Sequence, residues 1–190
     1  MMLNWRLLQL PMSAETIAGL KAGDKVMLSG TVYAARDAAH KRFIETLDKS
    51  EKLPIDLESA AIYYMGPSPT RPGDIIGSCG PTTSARMDKY TPRLMEQGLR
   101  VMIGKGNRSP AVVDAIRQHG GVYFITIGGA GALLSTKVKK SEVVAYDDLG
   151  AEAVLKLEVE RFPAVVVIDS EGTDLCQTGP AQYRANDMED

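Results

Sequence analysis

Two neighbouring stretches late in the chain, residues 155–160 (LKLEVE) and 163–168 (PAVVVI), set the tightest limit on what it can fold into. The first alternates apolar and charged residues, the pattern of a strand with one face on a core and one in water. The second is apolar throughout, as in central strands covered on both faces. A chain carrying both kinds needs a sheet that mixes parallel and antiparallel neighbours. Elsewhere strand-like and helix-like segments alternate, with no internal repeat, low-complexity tract or long linker. The expected class is a mixed α/β fold, not a simple doubly wound one, with residues 1–190 as one domain.

Local signals give the elements. Ser13 reads as an N-cap for a short helix over residues 14–21. Residues 25–33 read as a strand with an interior glycine, Gly30. Residues 36–47 carry an amphipathic pattern, with Ala38, Ala39, Phe43, Ile44 and Leu47 at helical spacing. Residues 60–65 are a short apolar strand. The three prolines in residues 67–73 impose a loop, because each removes a backbone donor. Residues 84–96 are helix-like, with an interruption expected near Pro92. Strands are expected over 100–103 and 122–127, flanking a helix that Ser109 and Pro110 open and Gly120–Gly121 ends. A further strand is expected over 143–146.

The formal net charge is -2, so no global field draws the chain to nucleic acid or an anionic membrane. The opening apolar run is broken by Arg6 and too short for a secretory signal. No run reaches the ~20 apolar residues of a spanning helix, so the expected address is the cytoplasm. The two cysteines, Cys79 and Cys176, lack C-x-x-C spacing. A cuboidal iron–sulfur cluster takes three or four thiolates, more than this chain supplies. Both cysteines therefore read as ordinary buried residues, and no metal ligand set is expected.

Four strings could carry chemistry. In Arg36-Asp37-Ala38-Ala39-His40-Lys41-Arg42 a strand meets a helix start, where free N–H groups concentrate positive potential. Asp37 is placed to cap that helix, and Arg36 can aim its planar fork at a carboxylate. A plain surface charge run would look the same. In Gly80-Pro81-Thr82-Thr83-Ser84-Ala85-Arg86-Met87-Asp88 three hydroxyls precede a helix start and Arg86 lies in its first turn. That pattern suits a small carboxylate anion, though ordinary Ser/Thr capping also fits it. Gly104-Lys105-Gly106-Asn107-Arg108-Ser109-Pro110 fails the phosphate-loop spacing, yet Lys105 can reach an anion. Gly128-Gly129-Ala130-Gly131-Ala132 fails the dinucleotide pattern at Leu134, which leaves a tight turn near a ligand or subunit. His119 at a helix end reads as structural, and His40 as part of the capping turn.

Taken together with Tyr64-Met65-Gly66-Pro67 and Met102-Ile103-Gly104-Lys105-Gly106, these strings resemble, in order and spacing, the β subunit, or C-terminal domain, of class I fumarases and L-tartrate dehydratases. The resemblance covers roughly residues 20–178, and the length suits a free-standing β subunit. It implies a swivelling β/β/α domain with mixed sheets and flanking helices. It also implies an α subunit, in an α2β2 assembly, holding a 4Fe–4S cluster with an open iron. The implied reaction is reversible hydration of fumarate to malate, or dehydration of tartrate to oxaloacetate. Arg36, Thr82, Arg86 and Lys105 match the family's substrate-contacting residues, and Thr82 matches a threonine given a part in proton transfer. Ala85 stands where many members have glycine, and Cys79 where a small residue is commoner.

Two rivals remain: a stand-alone small-anion (carboxylate) binding domain without catalysis, and a nucleotide-dependent enzyme using the turn at Gly128. The hydro-lyase reading makes a geometric demand. Arg36, Thr82, Arg86 and Lys105 should share one open face, with their guanidinium groups solvated or on a stray anion. Apolar residues for a partner to cover, Tyr64 and Met65 foremost, should sit beside them.

Overall fold

The computed structural model describes residues 5–127 and 129–184. Among these described residues seven strands form one sheet: β1 (Arg6–Gln9), β2 (Lys25–Ala34), β3 (Ala61–Tyr63), β4 (Val101–Gly104), β5 (Val122–Ile125), β6 (Val138–Ala145) and β7 (Val154–Ile168). Strands β1 to β5 pair in parallel in chain order, while β7 runs antiparallel to β2, β5 and β6. Because β7 meets both β2 and β5, the pairing β2–β3–β4–β5–β7 closes on itself as a small barrel-like ring. The mixed α/β class read from the sequence is the class observed.

Residues 155–160 and 163–168, expected as two strands, are one. Strand β7 follows β2 along its whole length, from Lys25 opposite Val165 to Ala34 opposite Leu155. The register shifts between Leu28 and Gly30, and there Arg161 takes a positive φ of 50° and donates its N–H to Ser29 Oγ at 3.1 Å. A bulge of this kind bends the strand without ending it. The alternation in 155–160 behaves as expected: Leu155, Leu157 and Val159 are buried, Lys156 and Glu158 half-buried.

The ring strands send alternate residues to two cores. Ala61, Tyr63, Val101, Ile103, Val122 and Phe124 join one cluster with Leu28, Val32 and Phe162, and fill the inside of the ring. Ile62, Met102 and Tyr123 join the other. That one packs against α2 (Asp37–Asp48), α3 (Thr91–Glu96) and α4 (Pro110–His119) through Phe43, Leu94, Met95, Val112 and Ile116. Burial of such side chains contributes ~1.5–3 kcal/mol each. Tyr64 and Met65, expected on the surface, are 0% and 1% exposed. They continue the alternation of β3 past its end, so the apolar run they close is core on both faces.

Further boundaries differ. Strand β1 was not expected; its burial pattern gives only Leu8 to the core, too weak a period to detect. The 84–96 segment is a 3-10 turn at Ser84–Met87, a break, and then α3, which Pro92 opens rather than interrupts. Proline suits a first helical turn, where its missing N–H costs nothing. Ser13 does cap its helix, α1 (Ala14–Ala18), accepting from Thr16 N at 3.2 Å.

Gly30 has φ +117°, and a Cβ there would lie 2.5 Å from the Leu10 carbonyl oxygen. Gly30→Ala should therefore destabilise the fold by ~2–4 kcal/mol, combining backbone strain and a clash with rigid main chain. Urea unfolding checks this. A loss within experimental error would mean the β2 bend does not need its present conformation.

Candidate functional site

Strands β2 to β5 run parallel, so their carboxyl ends share one edge, where an open α/β sheet gathers its functional loops. Arg36 follows β2, residues 64–82 follow β3, and Lys105 follows β4 directly. A recess of about 430 Å3 lined by Leu10, Ile17, Ala60, Arg100 and His119 lies at the opposite edge, so none of the four candidates lines it.

At the start of α2 the arginines meet a carboxylate. Arg86 binds Asp37 in a fork, Nε to Oδ1 at 2.8 Å and Nη2 to Oδ2 at 2.8 Å. Arg36 donates Nε to Asp37 Oδ2 at 3.2 Å and lies 3.2 Å, through Nη2, from Glu152 Oε1. Glu152 also accepts the Ala38 backbone N–H at 2.8 Å, which satisfies one orphan donor of the helix start. The Arg36 stem crosses Gly66 so closely that a Cβ there would lie 2.9 Å from Arg36 Cδ. Burial alone would raise the Asp37 carboxyl. Its own N–H and the guanidinium groups of Arg86 and Arg36 outweigh that and hold it below the usual carboxylate range. Asp37 is the first helical residue, with Arg36 as the cap position, so it does not play the capping part expected of it. The two arginines are paired internally rather than solvated alone.

The hydroxyl string is tied to the loop after β4. Ser84 N donates to the Lys105 carbonyl at 2.9 Å, and Lys105 N donates to Ser84 Oγ at 3.1 Å. The Tyr123 hydroxyl lies 2.8 Å from Ser84 Oγ and 2.9 Å from the Gly106 carbonyl. The Ser84 side chain sits so close over Gly104 that any Cβ there would collide with it. Thr82 is held by its own N–H on the Tyr64 carbonyl at 2.7 Å and is half-buried, while Thr83, Arg86 and Lys105 are exposed. Among the described residues Lys105 has no ion-pair partner within the chain. Arg36 and Arg86 thus converge on Asp37, and Thr82 and Lys105 stand on the paired segments beside them, all at one edge.

Beneath this surface lies a buried charge. Arg108, with a fully buried side chain, donates Nε to Asp88 Oδ1 at 2.7 Å and Nη2 to Thr91 Oγ1 at 2.8 Å. It stacks over the rings of Tyr64 and Tyr123. Asp88 Oδ2 also accepts the Ser109 N–H at 2.6 Å. A paired and hydrogen-bonded buried charge fixes geometry, and breaking it costs more than forming it gains. Here it locks the end of the hydroxyl string to the start of α4. His40 closes the layer at 0% exposed, its Nδ1 3.0 Å from the Arg36 carbonyl, so it does serve the turn at Arg36. Sequence reasoning missed Glu152, Asp88 and Arg108 as parts of the site, and it named Ser84 only as one of three hydroxyls suited to an anion. Asp88 and Arg108 stood inside the strings singled out; Glu152 left no local signal.

The chain's own donors do not fit a 4Fe–4S cluster. Cys79 is buried in the ring core, its thiol donating to the Gly77 carbonyl at 3.3 Å and pushed up to about 12 by burial. Cys176 lies in α6 (Leu175–Arg184). Among the described residues no group of three or more His, Cys, Asp or Glu could hold a metal ion. Gly128, first residue of the expected glycine turn, lies outside the described residues. Gly131, in α5 (Gly131–Ser135), packs against the 78–80 loop, where a Cβ would lie 2.8 Å from Gly80 N.

The family model for the fumarase C-terminus matches residues 4–179. The chain belongs to the fumarase C-terminal family. A class I aerobic fumarate hydratase of Salmonella typhimurium is 42% identical over 171 residues, covering 88% of this chain and 30% of that protein. Fumarate hydratase 2 of Leishmania major is 44% identical over 163 residues, 85% of this chain and 29% of that protein. A Methanocaldococcus jannaschii chain, provisionally described as an L(+)-tartrate dehydratase subunit beta, is 38% identical over 170 residues, 86% of this chain and 87% of that one. The chain thus spans about a third or less of the fumarate hydratases it matches and nearly all of the separate subunit. All four strings lie inside the family match.

Burial lowers the His40 imidazole to about 4. The unfolded imidazole takes a proton near pH 6.5, so between about 6.5 and 4 the unfolded chain binds more protons and stability rises with pH. Unfolding free energy should fall by about 3 kcal/mol as pH drops through that window. His40→Leu should flatten the dependence in urea titrations. Equal slopes for both proteins would mean His40 protonates freely in the folded chain.

Proposed function

We propose that this chain is the β subunit of a hydro-lyase that reversibly adds water to, or removes it from, a C4 dicarboxylate: fumarate and malate, or tartrate and oxaloacetate. In this role Arg36, Thr82, Arg86 and Lys105 bind substrate in a site completed by an α subunit, in an α2β2 assembly. The observation that carries the reading is the pair of arginines gathered on one carboxylate at an open sheet edge, with Lys105 nearby and unpaired among the described residues. The names of its relatives support the same substrate class, and the near-full match to a separate subunit beta supports a free-standing partner. The 4Fe–4S cluster is assigned to that partner, because the thiols of this chain do not fit one. A cytoplasmic address belongs to the same reading, supported by two free thiols. No described helix is long and apolar enough to cross a membrane.

The chemistry asked of this chain is electrostatic. Removing a proton beside a carboxylate builds negative charge on that carboxylate. Fixed guanidinium and ammonium donors stabilise such charge most strongly where water is excluded, which the partner's arrival would achieve. Thr82 stands next to these cations as a neutral hydroxyl. It can donate to, or accept from, substrate, but it acts as a base only with an activating partner. The rival reading, a stand-alone carboxylate-binding domain, is the weaker. An open edge without an enclosing wall gives small anions little shelter from water.

The isolated chain should not hydrate fumarate, and activity on a C4 dicarboxylate should appear on mixing with the cluster-bearing partner. Fumarate and tartrate assays of each component and of the mixture test this; a mixture inert toward both would sink the proposal. Arg86→Lys should reduce turnover of the complex by ~2–4 kcal/mol of transition-state stabilisation, since a point charge cannot reproduce a planar fork. Near-normal turnover would make Arg86 peripheral.

A further inference from the structure

We propose that Asp37 is a positioning residue, which holds Arg36 and Arg86 as a preset pair so that their remaining N–H donors face the same substrate carboxylate. The inference rests on the functional reading above and deepens it.

The donor count leads there. The Arg86 fork uses Nε and one Nη2 hydrogen on Asp37. A guanidinium has five N–H donors, so its Nη1 pair and the second Nη2 hydrogen remain. Those define its end-on edge, the one suited to a bidentate carboxylate. Arg36 has Nε on Asp37 and Nη2 beside Glu152, and its Nη1, which lies over Gly66, has no hydrogen-bond partner among the described residues. Neither arginine is free to turn. A half-exposed Arg86 without a partner would spread over many rotamers, and that side-chain entropy would be lost on binding. Asp37 removes that freedom beforehand.

Asp37 suits the task because its own position is determined. It is the first residue of α2, where its backbone is fixed and the helix start favours its charge. The Arg36 side is fixed independently, by Glu152 on the 3-10 segment Asp147–Glu152 and by the close approach over Gly66. That segment is itself tied to α2 by the Arg42–Asp148 fork at 2.7 and 2.8 Å. Asp37 also tempers the site. Two guanidinium groups on one side would repel each other, and a shared carboxylate allows them to sit close. A substrate carboxylate then meets both cations without displacing Asp37, because it uses the opposite edges.

The test is a split of KM from kcat in the reconstituted complex. Asp37→Asn keeps the size of the side chain but loses its charge and one acceptor oxygen. KM for the dicarboxylate should rise roughly 10- to 100-fold, the equivalent of one weakened charge-assisted hydrogen bond to substrate, with a smaller fall in kcat. A general loss of folded protein would lower apparent kcat and leave KM alone, which would overturn the proposal. A lower KM would also overturn it, by making Asp37 a competitor of the substrate. If the Asn variant does not fold, Asp37→Ser, which keeps a good first-turn residue, carries the same expectation. A second readout needs no activity: in the 15N-labelled chain, the Arg86 Nε–H resonance should be slow to exchange and lose that protection in the variant. If the wild-type complex has no hydro-lyase activity, the functional reading fails, while the resonance still reports whether Asp37 holds Arg86.

Discussion

The antiparallel pairing of β2 with β7 is the constraint on which the rest depends. Strand β2 gives its other edge to β1 along its first half and to β3 at its end, so it is the strand through which every part of the sheet connects. By meeting both β2 and β5, strand β7 converts a row of parallel strands into a ring with an apolar inside and a helix-covered outside. The ring in turn fixes where β2, β3 and β4 end. Gly30 and Arg161 allow the bend; without them the two long strands could not stay paired through their full length.

Given that edge, the site is an exercise in holding cations still. Positive charge that is to stabilise an anion must be neither smothered by counter-charge nor loose. Arg36 and Arg86 share Asp37 and stay partly open to solvent, whereas Arg108 beneath them is shut away between Asp88, Thr91 and the rings of Tyr64 and Tyr123. The buried pair positions and the more open pair is available, a difference set by exposure. Ser84, which bonds Lys105 and Tyr123, joins the two layers.

Much of this was legible in the sequence, for local reasons. Strand and helix periods, the Ser13 cap and the long motif strings depend on residues close in the chain, and so does the order of elements. What failed needed contacts at long range. Residues 155–160 and 163–168 were read as two strands because their apolar patterns differ, but Arg161 sits in a bulge against Ser29 through which one strand continues. Tyr64 and Met65 were expected outside, as apolar residues for a partner to cover, yet the ring and the helices close over them. The pairing of Asp37 with Arg86 spans 49 residues, and that of Ala38 with Glu152 spans 114. No local period encodes such partners. The four candidate residues were found through motifs; the groups that hold two of them in place, Asp37 and Glu152, came from the fold.

The central claim is that this chain contributes the cationic half of a dicarboxylate site at the carboxyl edge of its ring. A crystal structure of the complex of this chain with its cluster-bearing partner and a bound C4 dicarboxylate tests it most directly. The account predicts substrate carboxylates within hydrogen-bond distance of Arg36, Arg86 and Lys105, with the partner covering that edge. A dicarboxylate bound wholly by the partner, or a partner seated at the opposite edge beside His119, would contradict it.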